Sequence, residues 1–143
     1  MDKHMSVGVI GAGTMGIGIV QVAAQAGHSV LLFDARTEAI EKALAGLRKT
    51  LDRLVEKGRL NEGEAFGMMS RIAPANAIKD LAGCGLVIEA IIEDLAIKKA
   101  LFAELDLVVA KDAVLATNTS SLSVTAIAAA STRPEGVIGL HFF

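Results

Sequence analysis

The sequence predicts a doubly wound α/β fold, a mostly parallel sheet with helices on both faces and one projecting helical hairpin. Three observations lead there. Short apolar segments rich in β-branched residues alternate with segments of helical periodicity from end to end. The strand-like segments are apolar throughout rather than alternating, as strands covered on both faces must be. Finally, a run of 29 residues without Asp, Glu, Lys or Arg, from Met5 to Phe33, is long enough to imitate a membrane span. Six glycines and scattered Ser, Thr, Gln and His interrupt it, which requires a buried but soluble explanation. A chain of 143 residues suffices for one domain with its own core, and no repeat or linker divides it.

Each element follows from its local pattern. Ser6-Val7-Gly8-Val9-Ile10 reads as a buried strand, Gly11 to Gly13 as a turn, and Thr14 to Ala26 as a helix closed by Gly27. Met15, Ile19, Val22, Ala23 and Ala26 are its expected buried face. Ser29 to Phe33 is the second strand, ending at Asp34. Thr37 is the expected cap of a long helix running to about Lys57 and stopping at Gly58. Its Ile40, Leu44, Leu47, Leu51 and Leu54 form one apolar stripe. At about 1.5 Å per residue that helix is roughly 30 Å long, more than a sheet crossover needs. A shorter helix from Asn61 to about Ser70 folds back against it, so the hairpin covers about 37–70. Strands follow near 71–73, 85–88, 113–116 and 136–140, separated by helices over 95–109 and 123–130. Leu101, Leu105 and Val108 are the expected buried side of the first of these helices.

Composition excludes several functions. Fourteen Lys+Arg against 16 Asp+Glu give a net charge of −2, without the basic footprint of a nucleic-acid binder. Five Phe and no Trp or Tyr leave little for base stacking. The single cysteine, Cys84, rules out an internal disulfide and fits a reducing, cytoplasmic setting, with a small core residue as its expected role. His4 and His28 lack the spaced partners of a metal site, and no segment reads as a leader or a membrane anchor.

Chemistry enters at Gly11-Ala12-Gly13-Thr14-Met15-Gly16, a G-x-G-x-x-G placed after a strand and opening a helix. The first glycine permits the tight turn, the second lets backbone approach a pyrophosphate, and the third allows close helix–strand contact. Backbone N–H groups and the positive helix end then face the phosphates. Asp34 ends the next strand 23 residues after Gly11, where a ribose-binding acid belongs. The fold is therefore of the Rossmann type, and a carboxylate there favours NAD over NADP, although Arg36 nearby is the residue type that can hold a 2′-phosphate.

Three more segments carry a resemblance: Val87-Ile88-Glu89-Ala90-Ile91-Ile92-Glu93, Ala116-Thr117-Asn118-Thr119-Ser120-Ser121-Leu122, and Gly139-Leu140-His141-Phe142-Phe143. With the glycine motif they resemble, in order and spacing over essentially the whole chain, the NAD-binding domain of 3-hydroxyacyl-CoA dehydrogenases, with the shorter 3-hydroxybutyryl-CoA dehydrogenases nearest. The resemblance implies oxidation of (S)-3-hydroxyacyl-CoA to 3-oxoacyl-CoA by NAD, acetoacetyl-CoA being one such product. It implies His141 as the general base, a task suited to a side chain of ordinary pKa about 6.5. Ser120 matches a serine that bonds the reacting oxygen near the nicotinamide. Glu93 and Lys98 match contacts on the nicotinamide side, and Thr50 and Lys57 a hydroxyl and a lysine for coenzyme A. By charge alone, Lys98 and the basic face of the long helix would be solvated surface.

The sequence stops two residues after His141. The family continues with Asn-Pro, a glutamate that orients the histidine, and a helical domain that closes the cleft and forms a homodimer interface. The expectation is a domain fragment that binds NAD and turns over little. The competing readings are a non-catalytic dinucleotide-binding or redox-sensing module and another β-hydroxyacid dehydrogenase. The helical hairpin argues against the first, and the Asn-Thr-Ser-Ser segment against the second.

Overall fold

The computed structural model describes residues 5–119 and 121–140. Its strands are β1 (Val7–Ile10), β2 (Val30–Phe33), β3 (Ile72–Pro74), β4 (Leu86–Glu89), β5 (Val114–Thr117) and β6 (Val137–Gly139). Among the described residues they pair in parallel throughout, in the order β3-β2-β1-β4-β5-β6. The helices are α1 (Thr14–Gln25), α2 (Thr37–Glu56), α3 (Glu62–Ser70), α4 (Leu95–Val108) and α5 (Ser121–Ala129). The chain winds outward from β1 to the β3 edge, returns to β4 beside β1, and winds outward again. This reversal makes a crevice at the carboxyl ends of β1 and β4, where open α/β sheets bind ligands.

Both faces of the sheet are closed by apolar packing. Val7, Val9, Leu32 and Ile88 pack with Ile19 and Val20 of α1 and with Leu47 and Leu51 of α2. Ile10, Val87 and Leu115 pack on the other side with Phe102 and Leu105 of α4 and Ile127 of α5. β1 is buried along its whole length, which leaves no place for charge in the strand that begins the uncharged run from Met5 to Phe33. Cys84 lies in the second of these layers, where burial pushes its thiol up to about 11. No helix among the described residues is long and apolar enough to cross a membrane.

Two expected helix faces are displaced. In α1 the buried residues are Gly16, Ile19, Val20 and Ala24, whereas Met15 and Val22 are exposed. The contact made by Gly16 sets this rotation, because a helix held at that point must bury the line of residues above it. In α4 the buried line is Lys98, Phe102 and Leu105, with Leu101 and Val108 only half-buried.

The hairpin forms as its end signals dictate. Thr37 is the first residue of α2 rather than its cap, and Arg36 at the cap supplies no side-chain hydrogen bond. The turn is set instead by Asp34, whose Oδ1 accepts the Arg36 N–H at 2.9 Å. At the other end Gly58 adopts φ +72°, and Gly58 and Arg59 N–H donate to the carbonyls of Val55 and Leu54. Asn61 and Glu64 then cap α3 reciprocally. With 20 residues, α2 is about 30 Å long, roughly twice the length of the four-residue strands it flanks.

The tightest point of the fold is the approach of α1 to the end of β1. A Cβ on Gly16 would stand 1.7 Å from the Gly11 carbonyl oxygen, which is backbone and cannot yield. Gly16→Ala is therefore expected to destabilise the domain by about 3 kcal/mol or more, or to prevent folding, as read from urea unfolding.

Candidate functional site

The glycine turn assigns a different constraint to each glycine. Gly11 continues β1, donating its N–H to the Phe33 carbonyl at 2.8 Å, and has φ +113°. A side chain there would meet the Ala90 carbonyl at 2.6 Å, so the turn after β1 is pressed against the loop after β4. Gly16 seats α1 on the turn. Gly13 is limited by nothing, since a Cβ on it would find no protein atom within 4 Å. It stands at the cap of α1 with no side-chain hydrogen bond to the helix. An open cap of unpaired helix N–H groups beside a residue without a side chain fits a diphosphate. Ala12, Gly13 and Thr14 line a cleft of about 480 Å³ with Arg36, Lys42 and Thr50.

Asp34 braces this turn. Its Oδ2 accepts the Ala12 N–H at 2.9 Å, while Oδ1 holds Arg36. The carboxylate thus ties the glycine turn to the start of α2 at one end of the crevice, and each oxygen keeps a lone pair for a further donor. Arg36 is exposed.

The opposite end of the crevice holds a charged network that is largely sealed. Lys98 is 1% exposed and lies in the first turn of α4, where the helix dipole disfavours a cation. Two carboxylates offset that cost: Glu89 Oε2 at 3.2 Å and Glu93 Oε1 at 2.8 Å. Glu89, fully buried at the end of β4, also accepts from Thr117 Oγ1 at 2.5 Å and from the Ile91 N–H at 2.7 Å. Glu93 reaches solvent and accepts from Thr119 Oγ1 at 2.8 Å. The Lys98 ammonium, and next the Thr119 hydroxyl, hold the Glu93 carboxyl below its ordinary value. Asp94 caps α4 through the Ile97 N–H.

The resemblance implies that Glu93 and Lys98 share one site, and the structure brings them into contact. Sequence reasoning missed Glu89, Thr117 and Thr119. A signal existed for Glu89, because a carboxylate ending the apolar strand Leu-Val-Ile-Glu in a sheet covered on both faces requires a buried partner. Thr50 and Lys57 lie apart from this network on α2 and its cap. Thr50 Oγ1 donates to the Gly46 carbonyl at 3.1 Å and faces the same cleft as the glycine turn. A larger hollow of about 760 Å³ between α2 and α3, flanked by exposed Phe66, contains none of the expected site residues. Ser120 and His141 lie outside the described residues. Their described neighbours share one edge: Asn118 N–H donates to the Glu89 carbonyl, and Leu140 N–H to the Thr117 carbonyl at 3.0 Å.

Residues 6–143 match the family of the 3-hydroxyacyl-CoA dehydrogenase NAD-binding domain. The chain belongs to that family. It is 49% identical over 143 residues to 3-hydroxyadipyl-CoA dehydrogenase of Escherichia coli K12, covering all of this chain and 30% of that protein. It is 47% identical to 3-hydroxybutyryl-CoA dehydrogenase of Clostridioides difficile, over 97% of this chain and 50% of that one. The crystal structure of 3-hydroxybutyryl-CoA dehydrogenase from Escherichia coli K12 superposes with a TM-score of 0.95 at 48% identity, covering 98% of this chain and 30% of that one. The chain thus spans half or less of the length of these relatives. It is an NAD-binding domain of that family.

Two outcomes follow. Gly13→Ala leaves stability within about 1 kcal/mol, because the added methyl meets only open space, yet weakens NAD binding by roughly tenfold. Glu93 titrates below 4.5 in a carboxyl-carbon NMR titration, and Thr119→Val moves it back part of the way. The sign is that of a depressed acid: its contribution to stability is complete above 4.5 and lost as pH falls through the lowered value.

Proposed function

We propose that this domain is the cofactor-binding half of an enzyme that oxidises (S)-3-hydroxyacyl-CoA to 3-oxoacyl-CoA. NAD, when bound, supplies the hydride acceptor. Gly11, Ala12, Gly13, Thr14, Met15 and Gly16 hold its phosphates, Asp34 its ribose, and Glu93 and Lys98 its nicotinamide side. His141 takes the proton of the 3-hydroxyl on its ring, Ser120 bonds the same oxygen, and Thr50 and Lys57 meet coenzyme A. The helical domain and homodimer interface implied by the resemblance fall in the part of the relatives' length that this chain does not span.

The observation that carries this reading is the hydrogen bond from Leu140 to Thr117. It aligns Leu140, just past the end of β6 and one residue before His141, with Thr117, the last residue of β5 and three residues before Ser120. Both approach the edge that holds the Glu93–Lys98 pair, which supports one acid–base and cofactor site there. The other supporting point is the tie between Thr119 and Glu93, which links the serine's immediate neighbour to the nicotinamide-side carboxylate.

With no Trp or Tyr in the chain, NADH fluorescence can be titrated without competing protein emission. Saturable NADH binding by the 143 residues, with acetoacetyl-CoA-dependent NADH oxidation near background, is the expected result. Turnover by this chain alone at a rate typical of dehydrogenases would refute the near-inactive reading. In the full-length protein, His141→Gln is expected to lower kcat by roughly 10² to 10⁴ with NADH affinity retained.

A further inference from the structure

We propose that Glu89 is a positioning residue that, through Lys98, gives the nicotinamide end of the crevice one surplus negative charge, so that the site favours the oxidised, cationic cofactor over the reduced one. The proposal rests on reading Glu93 and Lys98 as nicotinamide-side residues.

The charge count is the first observation. One ammonium, Lys98, is paired with two carboxylates, Glu89 and Glu93, so the group carries one net negative charge. A single carboxylate would neutralise the lysine. Stability does not explain the second, because a buried ion pair is at best about even with apolar residues of the same shape. The geometry suits the ionised form of Glu89, since Oε2 meets two groups that can only donate, the Ile91 N–H and the Lys98 ammonium, and the Thr117 hydroxyl is free to donate to Oε1.

Position is the second observation. Glu89 and Lys98 are sealed, whereas the Glu93 side chain is 66% exposed, so the network is buried at its root and open at its tip. Charge held away from water is screened less than charge on a surface. The open tip lies at the carboxyl edge of β4 and β5, across the reversal point from Asp34. A dinucleotide whose pyrophosphate meets α1 and whose adenosine meets Asp34 extends its other half towards that edge. The other nearby charges, Asp94 and Lys99, are exposed and opposite in sign.

The oxidised nicotinamide ring carries a positive charge and the reduced ring does not. A surplus negative charge therefore favours the oxidised ring relative to the reduced one. In Glu89→Gln the amide oxygen still accepts from Ile91 and Lys98, and the amide nitrogen donates to the Thr117 hydroxyl, which turns from donor to acceptor, so the contacts are kept while the charge is lost.

The test is a pair of dissociation constants for the 143-residue chain, NADH by fluorescence and NAD⁺ by competition. Glu89→Gln is expected to weaken NAD⁺ relative to NADH by roughly three- to tenfold. Thr117→Val, which removes a bond to Glu89 but no charge, leaves the ratio as in the wild type. Glu93→Gln removes the same unit of charge at the solvent end and shifts the ratio in the same direction, which keeps the proposal decidable if E89Q does not fold. Equal weakening of both forms by E89Q or E93Q, or an unchanged ratio, overturns it. A folded wild-type chain that binds neither form instead overturns the reading of the cofactor site beneath it.

Discussion

The close passage of α1 over the end of β1 governs the crevice. Gly16 lies so near the Gly11 carbonyl that no side chain fits between them. Gly11 is in turn pressed against the Ala90 carbonyl beyond β4. These two contacts fix the height of the α1 N-terminus above the sheet and the course of the β4–α4 loop. They also rotate α1, so its buried line runs through Gly16 rather than Met15. The open space at Gly13 exists because its neighbours on either side are locked.

The Glu89–Lys98 pair is the second fixed point, and it depends on the first. Glu89 can grip the Ile91 N–H only while the loop keeps the course that Gly11 imposes. The carboxylate then holds Lys98, Lys98 holds Glu93, and Glu93 holds Thr119. A strand end, a loop, a helix start and the next strand end are thereby linked through side chains. In the function proposed above, groups held by such links do not need to be ordered by the cofactor, so less affinity is lost on ordering.

Much of this was legible in the sequence. Strand–turn–helix–strand, the glycine spacing and Asp34 are local patterns, and they survive folding with boundaries displaced by one or two residues. Asn61 and Gly58 act through their own backbone conformations and were readable as such. What failed was anything set by a contact between distant segments. Thr37 lost its capping role to Asp34, and the face of α1 was decided by Gly11. Lys98, ordinary surface by its helix alone, is buried because Glu89 waits beneath it, nine residues earlier and on another element. The resemblance supplied Lys98 and Glu93 but not Glu89, whose partners are visible only in three dimensions.

The double engagement of Asp34 has a consequence for how cofactor preference can evolve. One carboxylate ties Ala12 to Arg36, and in the function proposed above it also holds the ribose. A replacement that admits a 2′-phosphate surrenders the two backbone ties in the same step. The mutational path from NAD to NADP use thus runs through a loosened turn, with tightening required elsewhere before the new preference is viable. Coupling of this kind preserves a cofactor choice by folding rather than by affinity alone.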